Sequence, residues 1–527
     1  QGDNEGGLIV NLKLMLEVAA ERFGAKTAIV FGDSRLSYAD LDKASNKVAD
    51  ALIKLGIKKG DRIALLLSNS PEFAIIYFGV VKAGAVAVPL DPKYKLDELA
   101  SLFDSSLPRI LVTESPALDP LIPVLSSFKS IEHVINLGSD QMEKCSSYQE
   151  MITASSGEKI ETEPQPGDVA LILYTSGPAF LPRGAMLSHQ ILVRVAAMLG
   201  DGYHQTDKDV VMQYALPMYH VFGLVAILLA AVAKGSTVVI VPGTGLSIGS
   251  FMAAIEREKG TMFLGVPYIF ALAVDLAERE GIKNDLSSLR LCSSSADFLA
   301  PDVTKRFEKL YGLGITNCFA LTEAVCHVTC PAIDGSDTPG SVGKALPGWE
   351  IRIVDNTGQE LPLDRAGEII VRGPIMDGYY NNPQDTAKVI RDGWLYTGDI
   401  GKIDQAGNLF ITGRKKDIII VKGQNIYPCD IEMVLRKHPK ISQAAVLGIP
   451  NKMRGEIVGT AVVLKEGSAA TEQEIKKFCL ESLADYKVPK QIVFLDSLPL
   501  MEGGEIDKES IRRELPVLAP SPGVVIP

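Results

Sequence analysis

Strong positive charge and membrane-length apolar runs are both missing from this chain of 527 residues. The apolar run at residues 221–233 stops at Lys234, which is too short for a typical membrane-spanning helix and predicts a core helix instead. The formal net charge of −11 argues against non-specific nucleic-acid binding as the main activity. We therefore expect neither a transmembrane segment nor a nucleic-acid partner.

Paired cysteine spacing and a leader-like N-terminus are also missing. The seven cysteines are odd in number and scattered, which is typical of reduced thiols in the cytosol. The tightest grouping, Cys326-His327-x-x-Cys330, has no second ligand pair nearby, so buried thiols are favoured over a metal site. The polar, acidic start of the chain does not resemble a signal peptide, and we expect a cytoplasmic protein.

Helical and strand-like segments alternate over the first 400 residues. A capping-box pattern at 37–40 precedes apolar residues at helical spacing, and Gly56 ends that helix. The short apolar runs "RIALLL" (62–67) and "AVAVPL" (85–90) are typical of strands buried on both faces. Such alternation predicts crossover units and a mainly parallel sheet with flanking helices, which is an α/β fold.

The pattern changes after about residue 340. Short strands separated by glycine and aspartate turns, such as "GEIIVRG" and "GNLFITGR", predict a β-rich subdomain. From about residue 430 a compact alternation of helices and strands predicts a small α+β domain of roughly 110 residues, which is within the usual size of a domain.

Motifs in a fixed order then identify a resemblance that covers residues 10–515. The chain resembles the AMP-forming acyl-CoA synthetases, or acid–CoA ligases, of the adenylate-forming AMP-binding superfamily. The motifs are "YTSG…PRGAMLSH" (174–189), "LPMYHVFG" (216–223), "LTEA" (321–324), "GWLYTGDIG" (393–401), "GRKKDIIIVKGQNIYP" (413–428) and "LADYKVPK" (483–490).

The resemblance implies an N-terminal AMP-binding domain at 1–413, a hinge at 414–417 and a mobile C-terminal domain at 418–527. It also implies a two-step reaction that uses ATP, CoA and Mg²⁺. A carboxylate, from a fatty or aromatic acid, first attacks the α-phosphate of ATP to give acyl-AMP and pyrophosphate. The CoA thiol then attacks the acyl carbon and releases AMP.

The resemblance also assigns the nucleotide-binding residues. Thr322 is expected to bond the α-phosphate, Glu323 to bind Mg²⁺, and Asp399 to accept from the ribose hydroxyls with Arg414 beside it. The residues that would surround the phosphates and the adenine are Thr175, Ser176, Gly177, Arg183, Gly184, Ser295, Ala296, Asp297, Phe319 and Ala320. A phosphate loop needs backbone N–H groups, hydroxyls and a cation.

The remaining assignments concern the acid, CoA and the hinge. His220 is expected near the acid and the thioester-forming centre, although a histidine in an apolar stretch is often a buried structural residue. The acyl pocket is expected to include His220 with Gly265, Val266 and Pro267, and the pantetheine tunnel to be bordered by Gly423 and Gln424. Lys416 falls at the hinge.

The chain departs from the family at the nucleotide. Residues 178–181 read Pro-Ala-Phe-Leu where a Thr-Thr-Gly-Lys-like centre is usual, and 295–298 and 318–320 replace Gly-Gly-Ala-Pro and Gly-Tyr-Gly. Aligning Gly504 with the family's glycine puts Glu505 where a lysine bridges the carboxylate and the α-phosphate. An anion beside two anionic reactants is expected to slow adenylation strongly.

Three hypotheses follow. The first is an acid–CoA ligase that works through an acyl-adenylate. The second is a degenerate homologue, impaired in adenylation, that binds acyl-CoA or acyl-AMP or retains the thioester-forming half-reaction. The third is a binding or scaffold protein, which the intact "YTGD" and "KGQNIYP" segments disfavour. The expected partner is a small carboxylic acid or acyl-CoA, and homodimerisation stays open.

Overall fold

The computed structural model describes residues 9–138, 145–175, 183–241, 248–296, 299, 301–330, 338, 340–355, 357–414, 419–426, 428–451, 453–499 and 508–515. The candidate residues Ser176, Gly177, Asp297, Lys416 and Glu505 lie outside these ranges. The described residues divide into two compact units, the first within 9–92, 103–175 and 183–414, and the second within 93–102 and 419–515.

Helices occur along the whole described chain, and both helices and strands are numbered in chain order. The α-helices are α1 (Leu12–Phe23), α2 (Tyr38–Lys54), α3 (Pro71–Lys82), α4 (Leu96–Ser106), α5 (Ser115–Leu118), α6 (Tyr148–Thr153), α7 (His189–Gly202), α8 (Ala230–Lys234), α9 (Ile248–Glu258), α10 (Pro267–Glu280), α11 (Pro301–Tyr311), α12 (Pro383–Val389), α13 (Pro428–Lys437), α14 (Glu472–Ser482) and α15 (Lys508–Glu514). A 3₁₀ helix covers Ile122–Ser127, and Phe222–Leu229 is π-helical.

The first sheet of the large unit runs in the order β14–β13–β12–β10–β11–β1–β2. All neighbours are parallel except β1 and β2. Its strands are β1 (Thr27–Phe31), β2 (Ser34–Ser37), β10 (Val210–Gln213), β11 (Thr237–Ile240), β12 (Met262–Gly265), β13 (Leu291–Ser294) and β14 (Ile315–Asn317).

The second sheet of the large unit runs in the order β21–β9–β8–β4–β3–β5–β6–β7. It is parallel from β8 to β7, whereas β9 pairs antiparallel with both β8 and β21. Its strands are β3 (Arg62–Leu66), β4 (Val86–Leu90), β5 (Ile110–Thr113), β6 (His133–Asn136), β7 (Cys145–Ser147), β8 (Val169–Tyr174), β9 (Gly184–Ser188) and β21 (Gly378–Tyr379).

A third, antiparallel sheet forms the β-rich part of the large unit. Its order is β19–β20–β23–β22, with β24 also paired to β23. Its strands are β19 (Glu350–Val354), β20 (Gly367–Arg372), β22 (Ile390–Arg391), β23 (Trp394–Ile403) and β24 (Leu409–Arg414). Two short ladders precede it, β15 (Ala320–Leu321) with β16 (Cys326–His327) and β17 (Thr329–Cys330) with β18 (Lys344–Ala345).

The small unit has its own sheet and its own core. The order is β26–β25–β28–β27, and β29 pairs in parallel with β28. The strands are β25 (Ile419–Val421), β26 (Gln424–Ile426), β27 (Ile441–Asn451), β28 (Gly455–Leu464) and β29 (Gln491–Phe494). Buried side chains of α13, α14 and this sheet form one apolar cluster.

Local sequence rules explain several of these elements. The Ser37 hydroxyl accepts a hydrogen bond from the Asp40 N–H at 3.1 Å, which caps α2 as the capping box predicted. Ile63 to Leu66 are fully buried in β3, as expected of a parallel strand covered on both faces. The observed layers confirm the predicted α/β fold with a β-rich part and a small α+β unit.

The apolar run at 221–233 is buried in the core, as predicted, but its first part is π-helical and not α-helical. The π-helix is rare and is often found at functional sites. No helix in the described part of the chain is both long and apolar enough to cross a membrane.

Candidate active site

The carboxyl ends of four parallel strands bring the predicted adenine and acyl segments together. Ser295, just after β13, donates its N–H to the carbonyl of Gly265 at 3.2 Å and its hydroxyl to the carbonyl of Cys318 at 3.0 Å. The N–H of Cys318 donates in turn to the carbonyl of Ser294 at 2.9 Å. Ligands of open α/β sheets bind outside the carboxyl ends of the strands, which supports a site at this edge.

Buried polar atoms without a hydrogen-bond partner gather at the same edge. Ser294 and Asn317 are paired residues at the ends of β13 and β14, and Ser294 Oγ and Asn317 Oδ1 both lack a partner within the described structure. The same is true of Gln213 Oε1 and the Tyr214 hydroxyl, at and after the end of β10. Buried polar groups are normally satisfied in a folded protein, so these oxygens indicate a place for a polar ligand.

Backbone strain marks two turns of this region. Ala296 has φ +75°, a left-handed conformation that favours glycine, and it stands in the segment where the family often has two glycines. Val325 has φ +59°, and Cys326 has φ +141°, in the turn that directly follows Thr322 and Glu323. Strained residues of this kind collect at functional sites. The sequence did not indicate the strain at Val325.

The predicted metal ligand Glu323 is held by Tyr379. The Tyr379 hydroxyl donates to Glu323 Oε1 at 2.7 Å, although the two residues are 56 positions apart. The guanidinium of Arg183 lies 5.8 Å from the centre of the Tyr379 ring, and Arg183 also forms a 3.0 Å ion pair with Asp385. Tyr379 therefore links Glu323 to the closing residue of the predicted phosphate loop. Sequence reasoning missed Tyr379, because nothing in the motifs connects it to Glu323.

The ends of the predicted phosphate loop are closed by backbone pairing. Thr175 donates its N–H to the carbonyl of Arg183 at 3.0 Å, directly beyond the pairing of Tyr174 with Gly184 in β8 and β9. The two ends of the loop are therefore held side by side at the end of the β8–β9 pairing. Its remaining residues, Ser176 and Gly177 included, are outside the described chain.

The predicted ribose-binding residues face each other across a ladder. Asp399 on β23 is the register partner of Arg414 on β24, so the two backbones lie side by side. The Asp399 side chain is mostly buried, and its backbone N–H donates to Thr397 Oγ1 at 3.1 Å.

In the small unit, the candidate CoA residues lie on a tight hairpin. Val421 pairs with Gln424, and the two residues between them, Lys422 and Gly423, have φ +54° and +78°. Positive φ at both central positions is the signature of a type I′ turn, which normally requires residues such as Asn-Gly. A lysine at the first of these positions therefore raises the conformational free energy of the turn, and the turn geometry alone does not explain its presence.

His220 lies two residues before the π-helical segment Phe222–Leu229. Its Nδ1 accepts a hydrogen bond from the Phe222 N–H at 3.3 Å, and burial lowers its pKa to about 4, although the residue as a whole is only half-buried. Residue 223 must be glycine for steric reasons, since a Cβ there would lie 2.3 Å from the Pro217 carbonyl oxygen. A neutral imidazole can accept or donate a hydrogen bond, which suits the predicted place beside the acid.

We expect the protein to lose stability between pH 6.5 and pH 4. Burial lowers the pKa of His189 to about 4 and that of His327 to about 3, so in this interval the unfolded chain binds more protons than the folded one. Each such histidine adds up to about 1.4 kcal/mol per pH unit to the slope. Urea unfolding at several pH values measures how the free energy of unfolding changes with pH. His189→Asn, which keeps an acceptor for the Leu12 N–H, should flatten the slope, and an unchanged slope would contradict this assignment.

Comparison with known proteins agrees with this geometry. Residues 16–380 match the family described as AMP-binding enzyme, and residues 430–505 match the AMP-binding enzyme C-terminal domain. A long-chain-fatty-acid–CoA ligase of Bacillus subtilis is 32% identical over 536 residues, covering 95% of this chain and 94% of its own length. A 4-coumarate–CoA ligase of Oryza sativa is 32% identical, covering 93% and 90%.

Solved structures show the same similarity. An o-succinylbenzoate CoA synthetase of Bacillus subtilis, bound to a product analogue, has a TM-score of 0.84 at 27% identity and covers 94% of this chain and 97% of its own. An amide bond synthetase of Marinactinospora thermotolerans has a TM-score of 0.86 at 26% identity, with 95% and 99% covered. The chain therefore belongs to the AMP-binding enzymes, as an AMP-forming acyl-CoA synthetase of the adenylate-forming superfamily.

Proposed function

We propose that the protein joins a carboxylic acid to CoA in two steps. One oxygen of the carboxylate attacks the α-phosphorus of ATP, and the bond to pyrophosphate breaks to leave acyl-AMP. The thiol of CoA then attacks the acyl carbon, AMP leaves with the electrons of the broken acyl–oxygen bond, and the thiol proton goes to solvent. The observation that carries this proposal is the joining of Glu323, Tyr379 and Arg183 in one contact chain within a family member.

The residues have separate roles in the first step. Arg183 and the backbone at the closed ends of the phosphate loop would hold phosphate, and Thr322 would hydrogen-bond the α-phosphate. Asp399 would accept from both ribose hydroxyls, and Phe319 and Ala320 with Ser295, Ala296 and Asp297 would surround the adenine. Both reactants are anionic, so holding them in line is the main task of the site.

Glu323 fits a role as the Mg²⁺ ligand. Because Oε1 accepts from the Tyr379 hydroxyl, the carboxylate is held in one orientation. Carboxylate oxygens are the donors that Mg²⁺ prefers, and the ion neutralises phosphate charge when bound.

The second step and the acid are also part of the proposal. Gly423 and Gln424 would border the pantetheine, Lys416 would be the hinge, and His220 with Gly265, Val266 and Pro267 would line the acyl pocket. The acid is expected to be fatty or aromatic, in line with the names of the relatives. The cysteines whose side chains the structure describes form no disulfide, which supports a reducing, cytosolic setting, and a homodimer stays open.

A panel of fatty and aromatic acids tests the function. We expect at least one acid to give ATP-dependent pyrophosphate release, trapping by hydroxylamine, and acyl-CoA when CoA is present. A panel that gives no AMP, no pyrophosphate and no hydroxamate would contradict the proposal. Acyl-CoA formed from supplied acyl-AMP but not from ATP would instead favour the degenerate homologue.

Tyr379→Phe should raise the Mg²⁺ concentration needed for half-maximal adenylation by about tenfold, because the carboxylate of Glu323 loses the hydrogen bond that orients it. The adjacent Tyr380→Phe, which removes a hydroxyl from the next residue, serves as the control and should leave the Mg²⁺ dependence unchanged. An equal effect of the two substitutions would show that Tyr379 has no orienting role.

A further inference from the structure

The side chain of Asn69 binds the segment that leads to His220, although the two lie far apart in the chain. Asn69 Nδ2 donates to the carbonyl of Leu216 at 2.8 Å, and Asn69 Oδ1 accepts the N–H of Met218 at 2.7 Å. A residue of a parallel strand bonds in the same way to two residues of its neighbour, so this carboxamide takes the place of a strand partner. None of the sequence motifs assigns a role to Asn69.

The backbone of Asn69 is itself held on both sides. Ser68, which precedes it, donates its N–H to Glu114 Oε1 at 3.2 Å and its hydroxyl to the same oxygen. Ser70, which follows it, accepts the N–H of Phe73 at 3.1 Å and so caps α3. Asn69 is therefore firmly placed at the carboxyl edge of the second sheet of the large unit.

The segment that Asn69 holds continues directly into His220. The carbonyl of Leu216 also accepts from the side-chain amide of Gln213 at the end of β10, so it joins donors from the first and the second sheet. The carbonyl of Pro217 accepts the N–H of His220 at 3.1 Å, which closes a turn. A displacement of this segment would consequently displace the histidine.

Backbone strain indicates why the segment needs support from outside. Ala215 has φ +56°, a left-handed conformation that disfavours residues with a Cβ. Such strain persists only where the surrounding contacts fix the chain. The two hydrogen bonds of Asn69 begin at the next residue, Leu216, and are among the contacts that fix it.

The hydrogen bonds of the imidazole set which of its nitrogens can meet a ligand. Because Nδ1 of His220 accepts the Phe222 N–H, the proton of the neutral ring lies on Nε2. Nε2 makes no hydrogen bond with any residue that the structure describes, and His220 is only half-buried. The Nε2–H group is therefore a donor that a ligand oxygen could accept from.

We propose that Asn69 is a positioning residue, whose carboxamide fixes the segment that carries His220 and thereby directs the Nε2–H of this histidine at the carboxyl group of the acid. Asn69 itself touches neither the acid nor the nucleotide in this assignment. The inference rests on the proposed function for the place of His220 beside the acid, whereas the coupling of Asn69 to His220 rests on the hydrogen bonds alone.

Histidine NMR tests the coupling without any need for turnover. The chain has six histidines, so ring labelling with ¹³C and ¹⁵N gives few signals, and a His220→Gln spectrum identifies those of His220. In the wild type they should show the Nε2–H tautomer and no titration above about pH 5, since burial lowers the pKa of His220 to about 4.

Asn69→Ala should free the segment, so that the His220 ring exchanges between tautomers and titrates closer to its ordinary pKa of about 6.5. Unchanged His220 signals in this variant would overturn the proposal. Asn69→Asp loses only the donor to the Leu216 carbonyl and decides the test if the alanine variant does not fold. Unchanged His220 signals in the aspartate variant would equally overturn the proposal.

Asn136 provides a matched control at the end of β6, in the same sheet. Its Nδ2 donates to Ser115 Oγ at 3.3 Å, and its Oδ1 accepts the N–H of Gly138 at 3.0 Å. Asn136→Ala thus also removes one donated and one accepted hydrogen bond, but none that reaches the segment before His220. It should leave the His220 signals unchanged, and a change as large as that in Asn69→Ala would show general loosening and overturn the assignment.

A double-variant cycle tests whether Asn69 acts through His220. We would measure the rate of acyl-CoA formation from supplied acyl-AMP and CoA, which does not require ATP. Asn69→Ala should slow this step by about tenfold or more, because small errors in the position of a reacting group are costly. In the His220→Gln background the same substitution should add little. Fully multiplicative losses would show that Asn69 acts in another way.

Failure of this inference and failure of the proposed function give different results. His220 signals that depend on Asn69, without acyl-CoA from any acid or acyl-AMP, would support the coupling and overturn the function. Acyl-CoA formation at equal rates in the wild type and in Asn69→Ala would do the reverse.

Discussion

Glu505→Lys is expected to raise the rate of acyl-adenylate formation by about a thousand-fold, because a unit charge about 4 Å away at an effective dielectric near 20 corresponds to about 4 kcal/mol. We align Glu505 with the lysine that bridges the acid carboxylate and the α-phosphate in the resembling enzymes. The substitution both removes repulsion and adds attraction, and screening limits the sum. Single-turnover adenylation with ATP and a saturating acid measures the effect.

Two further variants test whether the charge of residue 505 or that of Lys508 controls adenylation. Glu505→Gln removes the negative charge without adding a positive one, so its rate should fall between those of the wild type and the lysine variant. Lys508→Ala should have no effect, because Lys508 begins α15 and lies three residues beyond the position that the alignment assigns to the family's lysine. Complete loss of adenylation in Lys508→Ala would show that Lys508 is the working cation and that the alignment at Glu505 is wrong.

Lys487→Met is expected to destabilise the protein by about 3–5 kcal/mol, the usual cost of breaking a buried ion pair. Lys487 Nζ lies 2.8 Å from Glu98 Oε1 and 3.6 Å from Asp430 Oδ2, and all three side chains are nearly inaccessible to solvent. The Tyr94 ring centre is 5.2 Å from the same ammonium. Burial lowers the pKa of Lys487, but Tyr94, Glu98 and Asp430 outweigh that effect and raise it above the ordinary value. The free energy of unfolding in urea is the measurement.

The small unit offers a matched control for this prediction. Lys476 forms an ion pair of the same length with Glu472, at 2.8 Å, but on the surface of α14. Lys476→Met should therefore cost less than about 1 kcal/mol. Combining Lys487→Met with Glu98→Gln should recover part of the lost stability, because one buried charge is then removed with its partner. If Lys487→Met and Lys476→Met lower the free energy of unfolding by the same amount, the buried pair does not stabilise the protein.

Local sequence rules predicted much of the fold, because the elements concerned are set by nearby residues. The capping box before α2, the fully apolar strand β3 and the helix–strand order of the small unit all follow from periodicity within about fifteen residues. The π-helical form of Phe222–Leu229 could not be predicted, because an all-apolar segment has no polar face from which to read its period. The grouping of residues 93–102 with the small unit was also outside the sequence rules, since it depends on contacts such as Glu98 with Lys487, 389 positions apart.

Some residues of the candidate site could likewise be predicted from the sequence, and others could not. Motif residues such as Glu323 and Asp399 could be proposed from sequence, because the chemistry fixes their types and their order. Tyr379 could not, since its link to Glu323 is a hydrogen bond between residues 56 positions apart in the chain. A buried atom without a partner, such as Nε2 of His327, is visible only after folding.

The central claim is that the acid is activated by attack of its own carboxylate on the α-phosphorus of ATP. An acid labelled with ¹⁸O in both carboxylate oxygens tests this most directly, with AMP and acyl-CoA analysed by mass spectrometry after reaction with ATP and CoA. We predict one ¹⁸O in the phosphate of AMP and one in the acyl group of the thioester. Acyl-CoA formed together with unlabelled AMP would contradict the acyl-adenylate route.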